Sequence, residues 1–252
     1  MNDERLAVLI DADNVPYANV KEMLEEISKN GTPTIKRIYG DWTKPTLSGW
    51  KNVLLDNAIT PIQQYSYTSG KNSSDSALII DAMDILYSEK VNGFCIVSSD
   101  SDFTRLATRL REAGMTVIGI GEKKTPQPFI SSCNKFIYIE ILKIKEQVET
   151  DTETENNTTR KAKTTRRQNP LNKIDAKTIK LIKDSVNDLA DESGWTFLGN
   201  LGNLISKKKP DFDPRNYGFT KLYPLIKHIG KFEIDERDTG VKNIRHIYLK
   251  LK

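Results

Sequence analysis

The stretch Gly93–Leu110, GFCIVSSDSDFTRLATRL, reads as a strand, an acidic turn and a helix in direct succession. Phe94–Ser98 is apolar without alternation, the pattern of a strand buried on both faces. Asp102–Ala113 is predicted as a helix ended by Gly114. Between the two lie only hydroxyl and carboxyl groups, Ser98, Ser99, Asp100, Ser101 and Asp102. The turn has two readings. Asp100 or Ser101 caps the helix, or the carboxylates hold a hard cation.

Working outward, strands and helices alternate. Leu6–Ile10, Thr34–Tyr39, Pro61–Tyr65, Thr116–Ile120 and Phe136–Ile139 read as strands. Tyr17–Asn30, Leu47–Ala58 and Asp75–Tyr87 read as helices. The alternation predicts an α/β fold, a parallel sheet sandwiched by helices. In such sheets ligands bind beyond the carboxyl ends of the strands. A second acidic turn sits at one such end, LIDADN, with Asp11, Asp13 and Asn14.

A third acidic group comes from GKNSSDSALIIDAMD. Asp75, in the first turn of its helix, shares a face with Leu78, Ile79 and Ala82. Burying a carboxylate on that stripe is costly unless it is paired or binds a metal. Asp81 lies about 120° round the helix, away from that face. Each acid also has an ordinary reading: Asp75 on the helix dipole, Asp13 and Asn14 as caps. The convergence of three clusters at one rim favours a shared metal site. With two cysteines and two histidines the chain is short of zinc ligands, so the expected ion is magnesium or manganese. Cys95 and Cys133 are expected as reduced core residues.

The sequence contains no Walker loop, and Gly119 and Gly121 lack the third glycine of a dinucleotide fingerprint. Neither a Ser-His-Asp arrangement nor HExxH occurs. MNDERLAVLID carries no signal-peptide pattern, and no apolar run reaches the roughly 18 residues of a membrane span. A cytoplasmic protein without membrane attachment is expected.

Glu149–Pro170, ETDTETENNTTRKAKTTRRQNP, has no large apolar residue and is expected to be a flexible polar linker. It divides the chain into domains at 1–148 and 171–252. The charge divides with it. Residues 1–150 hold 17 of the 38 Lys and Arg and 20 of the 34 Asp and Glu, leaving 21 against 14 beyond. An acidic half joined to a basic half suits a polyanion held near a metal site.

After the linker, Ile179, Ile182, Val186 and Leu189 mark an amphipathic helix. LGNLGNLISKKKP (198–210) and Thr220–Ile229 are two more, and Phe232–Leu251 alternates as a hairpin. Three helices and a two-stranded wing make a winged-helix α+β domain. Lys207, Lys208, Lys209, Arg215 and Lys221, interleaved with Tyr217 and Phe219, suit phosphate contact and base stacking. The alternative is that Phe212, Phe219, Leu222 and Leu225 are core with the lysines as its rim, and for Phe219 and Leu222 it is preferred. His228 and His246 read as packing or surface residues.

LAVLIDADNV, GKNSSDSALIIDAMDIL, FCIVSSDSDFTRLATRLREAGMTVIGIG and KFIYIE together resemble the NYN domain, a LabA-like branch of the PIN-like nuclease superfamily, over about residues 4–142. The resemblance implies a PIN-like fold and a metal-dependent ribonuclease. By motif, Asp11, Asn14, Asp75, Asp100 and Asp102 fall on its acidic site, and Asp81 on a further acidic position of the same helix. GWTFLGNLGNLISKKKPDFDPRNYGFTKLYPLIKHIGKFEID resembles the OST-HTH, or LOTUS, domain over about 171–252. That implies an RNA-binding module, with protein docking as the known variant.

The expectation is a ribonuclease using magnesium or manganese with a tethered RNA-binding domain. Asp11, Asp75 and Asp100 are the expected ligands, Asp102 a ligand or its companion, and Asn14 an orienting donor. Lys71 is placed against a phosphate. The alternative is an RNA-binding or scaffold protein that does not cut. A third reading, duplex-DNA recognition by the winged helix, finds little support.

Overall fold

The computed structural model describes residues 4–65, 73–142, 170–238 and 245–252. They fall in two compact units, divided between Thr152 and Glu153. Lys71 and all of the expected linker but Pro170 lie outside the described residues.

In the first unit, β1 (Arg5–Asp11) and β4 (Gly93–Val97) are the most apolar strands and lie at the centre. Every residue of β4 and all of β1 after Arg5 is buried. β2 (Thr32–Gly40) and β3 (Thr60–Gln63) extend the sheet on one side, β5 (Thr116–Gly121) and β6 (Lys135–Tyr138) on the other. The order is β3-β2-β1-β4-β5-β6 and every pair is parallel. Chain order therefore runs outward in both directions from the β1/β4 boundary. Parallel strands buried on both faces need helices above and below, which explains the continuous apolar runs.

The helices are α1 (Val20–Ser28), α2 (Trp50–Asp56), α3 (Ser73–Tyr87), α4 (Thr104–Glu112) and the short α5 (Gln127–Ser132). α3 buries Leu78, Ala82, Ile85 and Leu86. α4 buries Leu106, Ala107 and Leu110. It ends at Gly114, whose φ of +82° is the left-handed stop that glycine adopts without a Cβ penalty. The sequence pattern alone gives no α5. Its Phe129 packs between Phe103 and Phe136, with centroids 6.5 and 6.0 Å away. Two aromatic contacts, rather than helical periodicity, hold this turn in place. The ends of α1 and α2 are also shorter than expected. Tyr17–Asn19 and Pro45–Leu47 are 3-10 turns leading into those helices.

Cys95 and Cys133 are unbridged and buried. Burial pushes the Cys133 thiol up to about 12 and Cys95 higher still. Both are held as neutral core thiols.

The second unit comprises α6 (Ala176–Leu189), β7 (Thr196–Phe197), α7 (Leu198–Lys208), α8 (Leu222–Ile229), β8 (Phe232–Asp238) and β9 (Arg245–Leu251). Asp175 caps α6 by accepting from the Thr178 amide at 2.8 Å. The core gathers Ile182, Val186, Leu201, Ile205, Leu225, Ile226 and Leu249. The expected hairpin is present, but the antiparallel sheet has three strands, in the order β7-β9-β8. β7 is two residues long, too short for an alternation to register. Among the described residues no helix is long and apolar enough to cross a membrane.

Candidate metal centre

Parallel register brings the acidic turns together. Ile10 on β1 stands opposite Val97 on β4, so the chain leaves both strands at the same level. Asp11 closes β1, while Ser98 to Asp102 follow β4 at the point where the strand order reverses. That crevice is where α/β sheets bind ligands.

Asp11 is 1% exposed. Its Oδ2 accepts from Asn14 Nδ2 at 2.6 Å and from the buried Ser98 hydroxyl at 2.8 Å. Its Oδ1 accepts from the Asp13 amide at 3.2 Å. Burial raises its pKa, and those donors oppose the rise. Ser98 also accepts from the Asp100 amide at 3.1 Å, which shapes the turn. Just beyond β5, Ser99 accepts from the Glu122 amide at 2.8 Å. Gly121 is required at this edge, because a Cβ there would meet the Ser98 carbonyl oxygen at 2.6 Å.

Asp100 caps the 3-10 turn Ser101–Phe103 that leads into α4, its Oδ1 accepting from the Asp102 amide at 2.9 Å. A carboxylate has two oxygens, so the cap and a ligand role coexist in one side chain. Asp75, in the first turn of α3, is 8% exposed. Oxygens of Asp75, Asp100 and Asp102 all lie within 4.8 Å of one another. Burial, reinforced by the charges of Asp11, Asp100, Asp102 and Asp13, raises the Asp75 carboxyl to about 6. Three carboxylates this close repel one another and fit a hard divalent cation with oxygen ligands.

The structure thus brings Asp75, Asp100 and Asp102 into one group, with Asp11 beside it and already held by Asn14 and Ser98. Asn14 is where an orienting donor was expected. Asp13 caps no helix. It is exposed, 3.7 Å from Lys44 and 3.5 Å from the Ser74 hydroxyl. Asp81 is outside the group and pairs with the Arg37 guanidinium and the Tyr39 hydroxyl of β2. Ser98 is the residue the sequence reading left without a role. Its signal was a hydroxyl directly after a buried strand, visible only once β4 is known to lie beside β1.

In the second unit the expected RNA contacts divide. Lys207 and Lys221 are exposed. Lys208 pairs with Asp188 at 2.5 Å, and Arg215 with Asp213 at 2.6 Å. Lys209 donates to the Tyr217 hydroxyl at 3.3 Å. Tyr217 requires a correction. It is 4% exposed, packs against Phe212 at 5.8 Å and meets the Thr178 hydroxyl at 3.2 Å. Its ring belongs to the core and offers no face to a base. Phe219 is part of the core periphery, as preferred, 5.2 Å from the His228 ring.

A search of curated proteins returned no match. Among solved structures, one similar chain is a protein of unknown function from Vibrio parahaemolyticus, at 20% identity. The similarity covers 54% of this chain and 93% of that one, with a TM-score of 0.46. Another is the solution structure of an uncharacterized Nitrosomonas europaea protein, at 32% identity, covering 38% and 92%, with a TM-score of 0.30. Family models match an NYN domain at residues 5–140 and an OST-HTH/LOTUS domain at residues 169–244. NYN domains belong to a nuclease superfamily, and OST-HTH/LOTUS domains bind RNA. A PIN-like six-stranded sheet, an acidic crevice at its switch point and the two matched models in this order lead to one assignment: the chain belongs to the NYN domain family and carries a C-terminal OST-HTH/LOTUS domain.

Proposed function

We propose that this protein is a divalent-metal-dependent ribonuclease that hydrolyses RNA phosphodiester bonds at the Asp75, Asp100 and Asp102 cluster, with the OST-HTH/LOTUS unit holding the RNA. The observation that carries the reading is the approach of these three carboxylates to within 4.8 Å at the switch point of the sheet. When bound, magnesium or manganese supplies charge stabilisation at the phosphoryl group and an activated water. The remaining work falls to the chain. Asp75, Asp100 and Asp102 would provide the oxygen ligands. Asp11, fixed by Asn14 and Ser98, adds negative charge behind them and stands ready as a fourth ligand. The Asp100 cap and the Ser98–Asp100 bond hold the turn rigid, so the ligand atoms need little reorganisation.

The test is incubation of single-stranded and hairpin RNA with purified protein and either metal. Cutting that EDTA abolishes supports the proposal. Intact RNA with both metals, together with no metal uptake by calorimetry, overturns it. RNA that is bound but never cut would instead favour the non-catalytic reading.

A further inference from the structure

The three-stranded sheet of the second unit turns one face to its core and presents aromatic rings and cations on the other. Along β9, Leu249 is fully buried with Ile247 and Leu251 packed beside it, so His246, Tyr248 and Lys250 point outward. Phe197 of β7 stands directly opposite Tyr248, and Arg237 of β8 opposite His246. The Phe197 ring centroid is 5.0 Å from His246 and 5.7 Å from Tyr248. The Arg237 guanidinium lies 4.0 Å over the Tyr248 ring and 5.5 Å from that of Trp195. His246 and Arg237 are exposed, the others half-buried.

We propose that this outer sheet face is where the second unit takes single-stranded RNA, with bases stacked on Phe197, His246 and Tyr248 and phosphates drawn to Arg237 and Lys250. The proposal rests on the reading that the protein engages RNA, and it moves the contact away from the Lys207–Tyr217 segment. The tyrosine of that segment is core and offers no ring face to a base. On the sheet, by contrast, aromatic side chains keep accessible surface. A planar guanidinium already lies over a ring where a planar base would stack. Nearby carboxylates are engaged locally. Asp191 accepts from the Ser193 and Trp195 amides at 2.9 Å each, and Asp235 accepts from Arg237 at 2.8 Å. The surrounding unit carries a positive surplus, with 16 Lys and Arg against 11 Asp and Glu over residues 171–252. Stacking on such a face needs unpaired bases, so duplex RNA is excluded as an equal ligand.

The experiment uses the full chain in EDTA, so that the strand stays intact, and a fluorescein-labelled oligouridine of about 12 nucleotides. The Arg237→Ala, His246→Ala double variant is expected to bind about tenfold or more weakly, with unchanged circular dichroism. A Lys207→Ala, Lys208→Ala double variant is expected to stay within about twofold of wild type, and a duplex of equal length to bind about tenfold more weakly than the single strand. Oligouridine is also expected to quench tryptophan fluorescence in wild type and not in Trp195→Phe. Wild-type affinity in the folded Arg237/His246 variant overturns the proposal while leaving RNA binding intact, and a face built for a protein partner gives this same result. If that variant unfolds, an absence of Trp195 quenching overturns the proposal instead. No RNA binding by wild type overturns both the proposal and the RNA reading beneath it.

Discussion

The Ser98 hydroxyl donates to Asp11 Oδ2 at 2.8 Å across the boundary between the two central strands. This bond ties the end of β1 to the turn after β4, and Asn14 completes the grip from the β1 side at 2.6 Å. A buried carboxylate is tolerated here because each charged oxygen has donors to replace lost water.

Ser98→Ala removes one of those donors and leaves the carboxylate under-solvated in a buried site. The expected cost is about 1–3 kcal/mol, measured by urea denaturation. RNA cleavage is expected to fall as well, because the Asp100 amide also loses its acceptor. Ser98→Thr, which keeps the hydroxyl, is expected to recover more of the activity than of the stability.

Asp75→Asn is expected to stabilise the metal-free protein at neutral pH while removing its response to metal. The folded-state carboxyl titrates near 6, above its ordinary 3.8. Its ionisation therefore costs the folded state. The stability associated with the protonated form is fully present below about pH 3.8 and is lost as pH rises through about 6. Thermal melts in EDTA at pH 5 and pH 7.5 check this, with the advantage of the Asn variant larger at pH 7.5.

Manganese or magnesium is expected to raise the melting temperature of wild type, and EDTA to reverse the gain. An ion at about a hundred times its dissociation constant adds about 2.7 kcal/mol. The same addition to Asp100→Asn or to Asp75→Asn is expected to give a much smaller shift. Differential scanning calorimetry reads both.

Asp81→Asn separates a structural acid from a ligand. It leaves the half-buried Arg37 guanidinium without its carboxylate and weakens the Tyr39 contact. A loss of about 1–3 kcal/mol in stability is expected. That cost sits toward the lower end because the pair is partly exposed. Cleavage per folded molecule is expected to stay within about twofold of wild type, because Asp81 lies outside the acidic group. Loss of metal uptake in this variant would place Asp81 at the ion after all.

The alternating sheet was legible because parallel strands buried on both faces write themselves as unbroken apolar runs, as in Leu6–Ile10 and Phe94–Val97. The acids at their ends were legible as a site only through the convergence of three clusters at one rim, since each alone also reads as a cap or turn residue, as Asp100 is. The helical face of Asp75 set it apart from Asp81, which pairs with Arg37 and Tyr39 instead. What the sequence hid depends on pairing between distant strands. Ser98 acquires its role only through β1, and β7 exists only because β9 offers two residues of register. Tyr217 misled for the opposite reason. In FDPRNYGFTKL the tyrosine sits among cations and reads as surface, yet the 3-10 turn Pro214–Tyr217 swings its ring inward onto Phe212. The aromatic face of the second sheet was dispersed over Phe197, Arg237 and Tyr248, too far apart in the chain to form a pattern.

The most direct test of the central claim is RNA cleavage by wild type and Asp100→Asn, assayed side by side with manganese and with EDTA. The predicted result is cutting by wild type with metal alone and a loss of about a hundredfold or more in the variant, in keeping with removal of a charge-stabilising ligand. Equal cutting by both proteins, or cutting that persists in EDTA, would contradict a metal site built from Asp75, Asp100 and Asp102.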